Sequence, residues 1–234
     1  MSMRPALLLL PLALLGCSPG EPGRPTDEPD PAPSFTPPPG AVIQIGPGEY
    51  LSEPVYVLDQ EIDRWVPTVA LIEPQETRRS HRRKALTNIN LNTAIAAALF
   101  PEEREAARAE VASLRELLVA DRPLPEGAPP ITRVSGNGLD LQIVLWGAAI
   151  ELPIGEWSDL IEVRGGFAVV RRLSEEPPGG WRGYHEVAID AVLLNFVPPE
   201  TFDDIVNDAR PKLGVVPLEP EGWSGILPAY YEYE

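Results

Sequence analysis

The sequence predicts an α+β fold, an antiparallel sheet with packed helices, preceded by a signal peptide and a Pro-rich linker. Three observations predict it. From Pro101, apolar Ala107, Val111, Leu114 and Leu118 recur at helical spacing. Gly165-Gly166 then introduces Phe167-Ala168-Val169-Val170, an aromatic and β-branched run that suits a pleated surface. Finally, Glu186 to Phe196 alternates and carries further β-branched residues, the pattern of another strand.

The chain begins with Arg4 ahead of an apolar run, Ala6 to Leu15. Such a core of about ten residues is too short to span a bilayer and suits a signal peptide. It ends in Leu14-Leu15-Gly16-Cys17, which resembles a bacterial lipobox. The expectation is a signal peptide over residues 1–16 and a lipid on Cys17, the only cysteine of the chain. No disulfide can then form within one chain, and no thiol remains for metal binding or catalysis. Ser18 follows, with no Asp to signal inner-membrane retention, so the expected location is the bacterial cell envelope, on the outer membrane facing the periplasm or the surface. Residues 17–40 read as a disordered Pro-rich linker, because proline at this density favours extended polyproline II over helix or sheet.

The formal charge is −16 at pH 7, from 19 Lys and Arg against 35 Asp and Glu. A polyanion gains nothing from such a surface, so nucleic acid is excluded as a partner. Residues 41–84 read as a strand-rich segment, with VIQI, PVYVL and VPTVALI as short strands bounded by Gly, Pro or acidic residues. They close on the basic cluster RRSHRRK, Arg78 to Lys84, which could clamp an acidic partner, clamp the chain's own acidic surface, or simply start a solvated helix. His81 belongs to this cluster, and its cationic neighbours argue against a catalytic role.

From Ala85 to Leu99 the residues Leu86, Ile89, Ile95 and Leu99 fit a helical stripe, although the centre is rich in Asn. A clearer helix follows. Pro101 suits a first helical position, Glu102, Glu103 and Glu105 suit the positive first turn, and Pro123 lies just past the expected end near Asp121. Ser135-Gly136-Asn137-Gly138 is a turn signal. In Leu152 to Leu173, Gly155 permits a tight turn and Ser158 or Asp159 can bond nearby backbone amides. Residues 176–234 read as a strand-helix extension with an aromatic tail. Thr201 caps a helix to about Arg210 that turns Phe202, Ile205, Val206 and Ala209 inward and stops at Pro211, and Trp223 and Ala229 to Glu234 are expected to dock back on the body, the alternative being a sticky terminal contact.

The run from Leu152 through Gly155, Glu156, Ser158 and Asp159 to Gly166, Phe167, Val169, Val170 and Arg171 resembles the closing segment of parvulin-type (PpiC, rotamase) peptidyl-prolyl isomerases. The long helix and the Leu124-Pro125-Glu126-Gly127 loop fit the same family, so residues 85–175 are read as a degenerate parvulin-like domain. The resemblance implies a rotamase fold and clients that are unfolded or proline-containing exported polypeptides. It also implies a proline or peptide pocket at Leu145, Phe167 and Ala168, with Gln142, Trp146 and Trp157 near it. Active members carry a histidine where this chain has Ala168. Rotation about an X-Pro bond must overcome roughly 18–20 kcal/mol and needs neither nucleophile nor metal, so no cofactor is expected. Neither His81 nor His185 matches a family motif position, and no catalytic residue is carried over.

Other chemistries lack their patterns. Asp203-Asp204 and Glu175-Glu176 are adjacent pairs that diverge on any regular element, and no GxSxG nucleophile turn is present. Three functions remain open: a prolyl isomerase that tolerates the missing histidine, a chaperone that binds chains without isomerising them, and a structural or interaction lipoprotein that reuses the fold. A Phe167 region filled by its own side chains would count against a peptide pocket there.

Overall fold

Two short strands and a long helix begin the folded part, and the logic of each is local. The computed structural model describes residues 34–179 and 184–218. The signal peptide, Cys17, most of the linker, Trp223 and the run from Ala229 to Glu234 lie outside the described residues. The chain divides into Met1–Ser34 and Phe35–Glu234, and every element below belongs to the second.

β1 (Ala41–Ile45) and β2 (Val55–Leu58) pair antiparallel, as their β-branched residues predict. VPTVALI, expected as a third strand, is instead the second half of α1 (Asp59–Ile72). Its buried residues explain the correction. Ile62, Val66, Val69 and Ile72 recur at helical spacing, and that face packs into the core despite Pro67 within the helix. The backbone N–H of Leu58 donates to Glu61 Oε2 at 2.9 Å, which ties off the helix start.

The basic cluster is α2 (Arg78–Ala85), with Thr77 as its N-cap. It clamps the chain's own acidic surface. Arg78 pairs with Asp63, Arg82 with Asp59 and Asp63, and Lys84 with Glu73 and Glu76. The hydrogen bond to Glu73 raises the Lys84 pKa above the usual lysine value. The helix then widens into a π-helical turn, Leu86–Asn90, before α3 (Leu91–Leu99). α4 (Pro101–Val119) follows with the predicted face of Ala107, Val111, Leu114 and Leu118 buried.

β3 (Thr132–Gly136) precedes the Asn137-Gly138 turn, and α5 (Ile143–Glu151) follows it. β4 (Ile161–Val163) and β5 (Gly166–Gly179) form a hairpin about Gly165, which adopts φ +69°. β6 (Tyr184–Asn195) returns beside β5. α6 spans Pro199–Leu213, longer at both ends than the sequence reading. Pro199 is pre-set for a first helical position, while Thr201 lies inside the first turn with its hydroxyl donating to the Pro198 carbonyl. Gly214 at φ +60° supplies the left-handed exit into β7 (Val215–Pro217).

Two antiparallel sheets result, in the order β2-β1-β7 and β3-β6-β5-β4, so the fold is mixed α+β. One core joins β1 and β2 to α1, α3, α6 and β7, so the first and last parts of the fold share a layer. The larger sheet buries both faces. α5 covers the face bearing Ala168 and Val170, and α4 covers the opposite face, bearing Phe167 and Val169.

Candidate functional site

Strand alternation decides what the predicted pocket residues can do. Phe167 is 2% exposed on the α4 face, 6.1 Å from the Phe196 ring and beneath the Arg104 guanidinium at 5.5 Å. Ala168 and Leu145 are buried on the α5 face. The structure therefore brings Leu145 and Ala168 into one cluster and sets Phe167 on the other side of the sheet. All three sites are filled by neighbouring side chains. Trp146 is likewise core, its indole N–H donating to the His185 carbonyl at 2.9 Å. Trp157 is half-buried, with the Arg171 guanidinium 5.0 Å above its ring.

The block around these residues is a braced turn. Ser158 Oγ accepts from the Val170 N–H at 3.0 Å, the Ser158 N–H donates back to the Val170 carbonyl at 2.8 Å, and the Gly155 N–H donates to the Arg172 carbonyl at 2.7 Å. His81 sits against the Glu73 carbonyl through Nε2 at 2.8 Å, and His185 against Glu175 through Nδ1 at 2.7 Å. Neither imidazole bonds to Phe167 or Ala168; His185 is linked to the block only through Glu175, which also pairs with Arg172. Among the described residues no three His, Cys, Asp or Glu side chains gather as a metal ion would require.

Open space lies elsewhere, around the π-helical turn. Three cavities of about 330, 270 and 300 Å³ all have Ile89 in their walls. A π-turn widens a helix locally and often marks a working site. The first and largest cavity lies between β2 and α3 on one side and α5 with β4 on the other. Small side chains make the room: Thr93, Ala94 and Ala97 from α3 and Ala148 from α5. Tyr56 and Trp65 supply aromatic wall. At one rim Arg104 grips Glu162 through two hydrogen bonds, Nε to Oε1 at 2.6 Å and Nη2 to Oε2 at 2.8 Å, and this contact raises the Arg104 pKa further.

Two residues of this wall each carry a buried atom without a hydrogen-bond partner, the Tyr56 hydroxyl and Asn90 Oδ1, both turned away from the open space. Most buried polar atoms are satisfied, because each one left bare costs about 1–3 kcal/mol. A mainly apolar cavity with a few convergent polar atoms is what a ligand site requires. Sequence reading missed this site. Its one signal was the alternation Asn88, Asn90, Asn92 across an otherwise apolar helix, which marks a helix bent out of α geometry.

A second polar cluster is structural. Asp190, 2% exposed on β6, accepts from Arg133 on β3 at 2.9 Å and from Arg171 on β5 at 2.7 Å, a ladder across three strands. The Arg133 hydrogen bond, ahead of that from Arg171, holds the Asp190 carboxyl below its usual pKa.

No protein-family model, no curated protein and no solved structure matches the chain.

Proposed function

We propose that this chain is a lipid-anchored envelope protein of the parvulin type that binds exported polypeptides in extended form and does not isomerise their prolyl bonds. The observation that carries this reading is the 330 Å³ cavity, walled by aromatic Tyr56 and Trp65 and by small Ala94, Ala97 and Ala148. An extended main chain with small side chains fits such a trough, and its N–H and C=O groups can bond the polar side chains at the rim. The isomerase reading loses support from Phe167, Leu145 and Ala168, which are core residues with no room for a prolyl ring. The lipid on Cys17 and the envelope location rest on the Leu14 to Cys17 motif.

A protease-coupled isomerisation assay on proline tetrapeptides, run beside binding of a labelled unfolded polypeptide, tests this. The expected result is no acceleration over the uncatalysed rate together with saturable binding that an Ala97→Trp variant abolishes while still melting cooperatively. Acceleration would refute the non-catalytic reading, and equal binding by Ala97→Trp would remove the cavity from it. For the anchor, a Cys17→Ala variant should leave the membrane fraction, and one that stays there would refute lipidation.

A further inference from the structure

The cavity lies beside the outer strand of a sheet, and next to it stands a cation that no carboxylate of the described residues answers. β2 is the outer strand of its sheet. On β1, the Gly46 N–H donates to Gly214 and the Val42 carbonyl accepts from Leu218, so the backbone groups of 42, 44 and 46 turn towards β7. Those of 43 and 45 must then turn towards β2, where they meet Val57 and Val55. By the same alternation the N–H and C=O of Tyr56, between them, turn outward along the edge that lines the cavity.

Arg64 stands on the same wall, exposed, its guanidinium 5.3 Å above the Trp65 ring. No carboxylate of the described residues is within ion-pair distance of it. Arg78, Arg82, Lys84, Arg104, Arg133 and Arg164 each hold an acidic partner, and Arg122, which like Arg64 has none among the described residues, lines none of the three cavities. In a chain of net charge −16, a cation left over beside a cavity marks where a ligand's negative charge is tolerated and the rest of the surface repels it.

Resting on the proposed polypeptide-binding role, we infer that the ligand docks as an added strand on β2, bonded through its main chain to Tyr56, and that it sets a carboxylate on Arg64. Small apolar side chains fill the trough over Ala94, Ala97 and Ala148. Main-chain bonds give a strand-adding ligand its affinity, and the charge contact gives it selectivity. The carboxylate can come from an acidic side chain or from a polypeptide C-terminus.

The test measures fluorescence anisotropy of labelled heptapeptides of Ala and Val on the full chain. One carries a central Asp and an amidated end, one a central Asn and an amidated end, and one a central Asn and a free carboxyl end. A fourth repeats the first with alternate amides N-methylated. The expected result is that one or both carboxylate peptides bind about tenfold or more tightly than the neutral one, and that Arg64→Gln erases the difference. Which of the two gains shows whether side chain or chain end is read. N-methylation should abolish binding. Equal affinity for acidic and neutral peptides would overturn the carboxylate contact while leaving the polypeptide-binding role intact. Undiminished binding of the N-methylated peptide would overturn strand addition. No binding of any peptide would overturn the role itself, and the inference with it.

Discussion

Phe167→Ala separates a core residue from a pocket residue by the size of its effect. The ring is 2% exposed, packed beneath α4 against the Phe196 ring and capped by Arg104. Truncation removes nearly all of that packing and leaves a void that α4, pinned to β4 by Arg104–Glu162, is poorly able to close. The expected loss is about 3–5 kcal/mol, the usual cost of Phe→Ala in a core. At roughly 2–4 °C per kcal/mol for a chain of this size, Tm should fall by about 6–20 °C. Thermal unfolding followed by circular dichroism reads this directly, with Val169→Ala, the next residue on the same face, as a milder companion. A fall of less than about 2 °C would mean that Phe167 lines replaceable space. Coupled to lost peptide binding, that outcome would restore the pocket and refute the core assignment.

Ala168→His, which restores the family's residue type, should destabilise the chain by about 1–3 kcal/mol and yield no isomerase activity, because the ring enters a filled α5 face. Chemical denaturation and the tetrapeptide assay check both halves. Asp190→Asn should cost about 1.5–3 kcal/mol near neutral pH through its lost charged hydrogen bonds. Because the folded state holds this carboxyl below its unfolded value, its contribution is fully present above about pH 4–5 and fades as pH falls through the folded pKa. The stability gap between wild type and Asp190→Asn should therefore be flat above that range and shrink below it, as denaturation at several pH values would show. Gly214→Ala should cost about 1–2 kcal/mol, since its φ of +60° closes α6 and a Cβ there is strained in any surroundings. An unchanged denaturation midpoint would contradict that.

Much of the fold was legible because it followed one period at a time. α4 displays four buried residues on a single helical face, and β5 and β6 each carry a run of buried apolar and β-branched residues that suits a strand covered on both faces. Two misreadings share a cause. Pro67 is read inside a strand and Pro211 as a helix stop, yet both lie within helices whose neighbouring residues carry an apolar face. Val66, Val69 and Ile72 satisfy helix and strand patterns almost equally over seven residues, and the choice was settled by Ile62 one turn earlier. Tertiary burial outweighed the local preference of β-branched residues for strands. In the basic cluster, the residues that neutralise α2 stand on α1 and in the loop after it, and nothing in RRSHRRK itself distinguishes an internal clamp from a surface for a partner.

The candidate site was hidden for a different reason. A strand's two faces are one residue apart in sequence and a sheet's thickness apart in space, so the contiguous Phe167-Ala168 could never line one pocket unless the strand were broken there. It is unbroken from Gly166, and the block that reads most like a motif is conspicuous because it is core: glycines at turns and β-branched residues inside. The cavity is assembled the opposite way. Tyr56, Arg64, Asn90, Ala97, Arg104 and Ala148 come from six elements, and none belongs to the buried face that marks its element. What they share is departure from pattern: an aromatic on an outer strand, an asparagine in a helix, alanines where a core would place leucine, a cation without its acid. Each departure costs the fold a little, and their convergence on one cavity is the physical reason to look for a ligand there and not beneath Phe167.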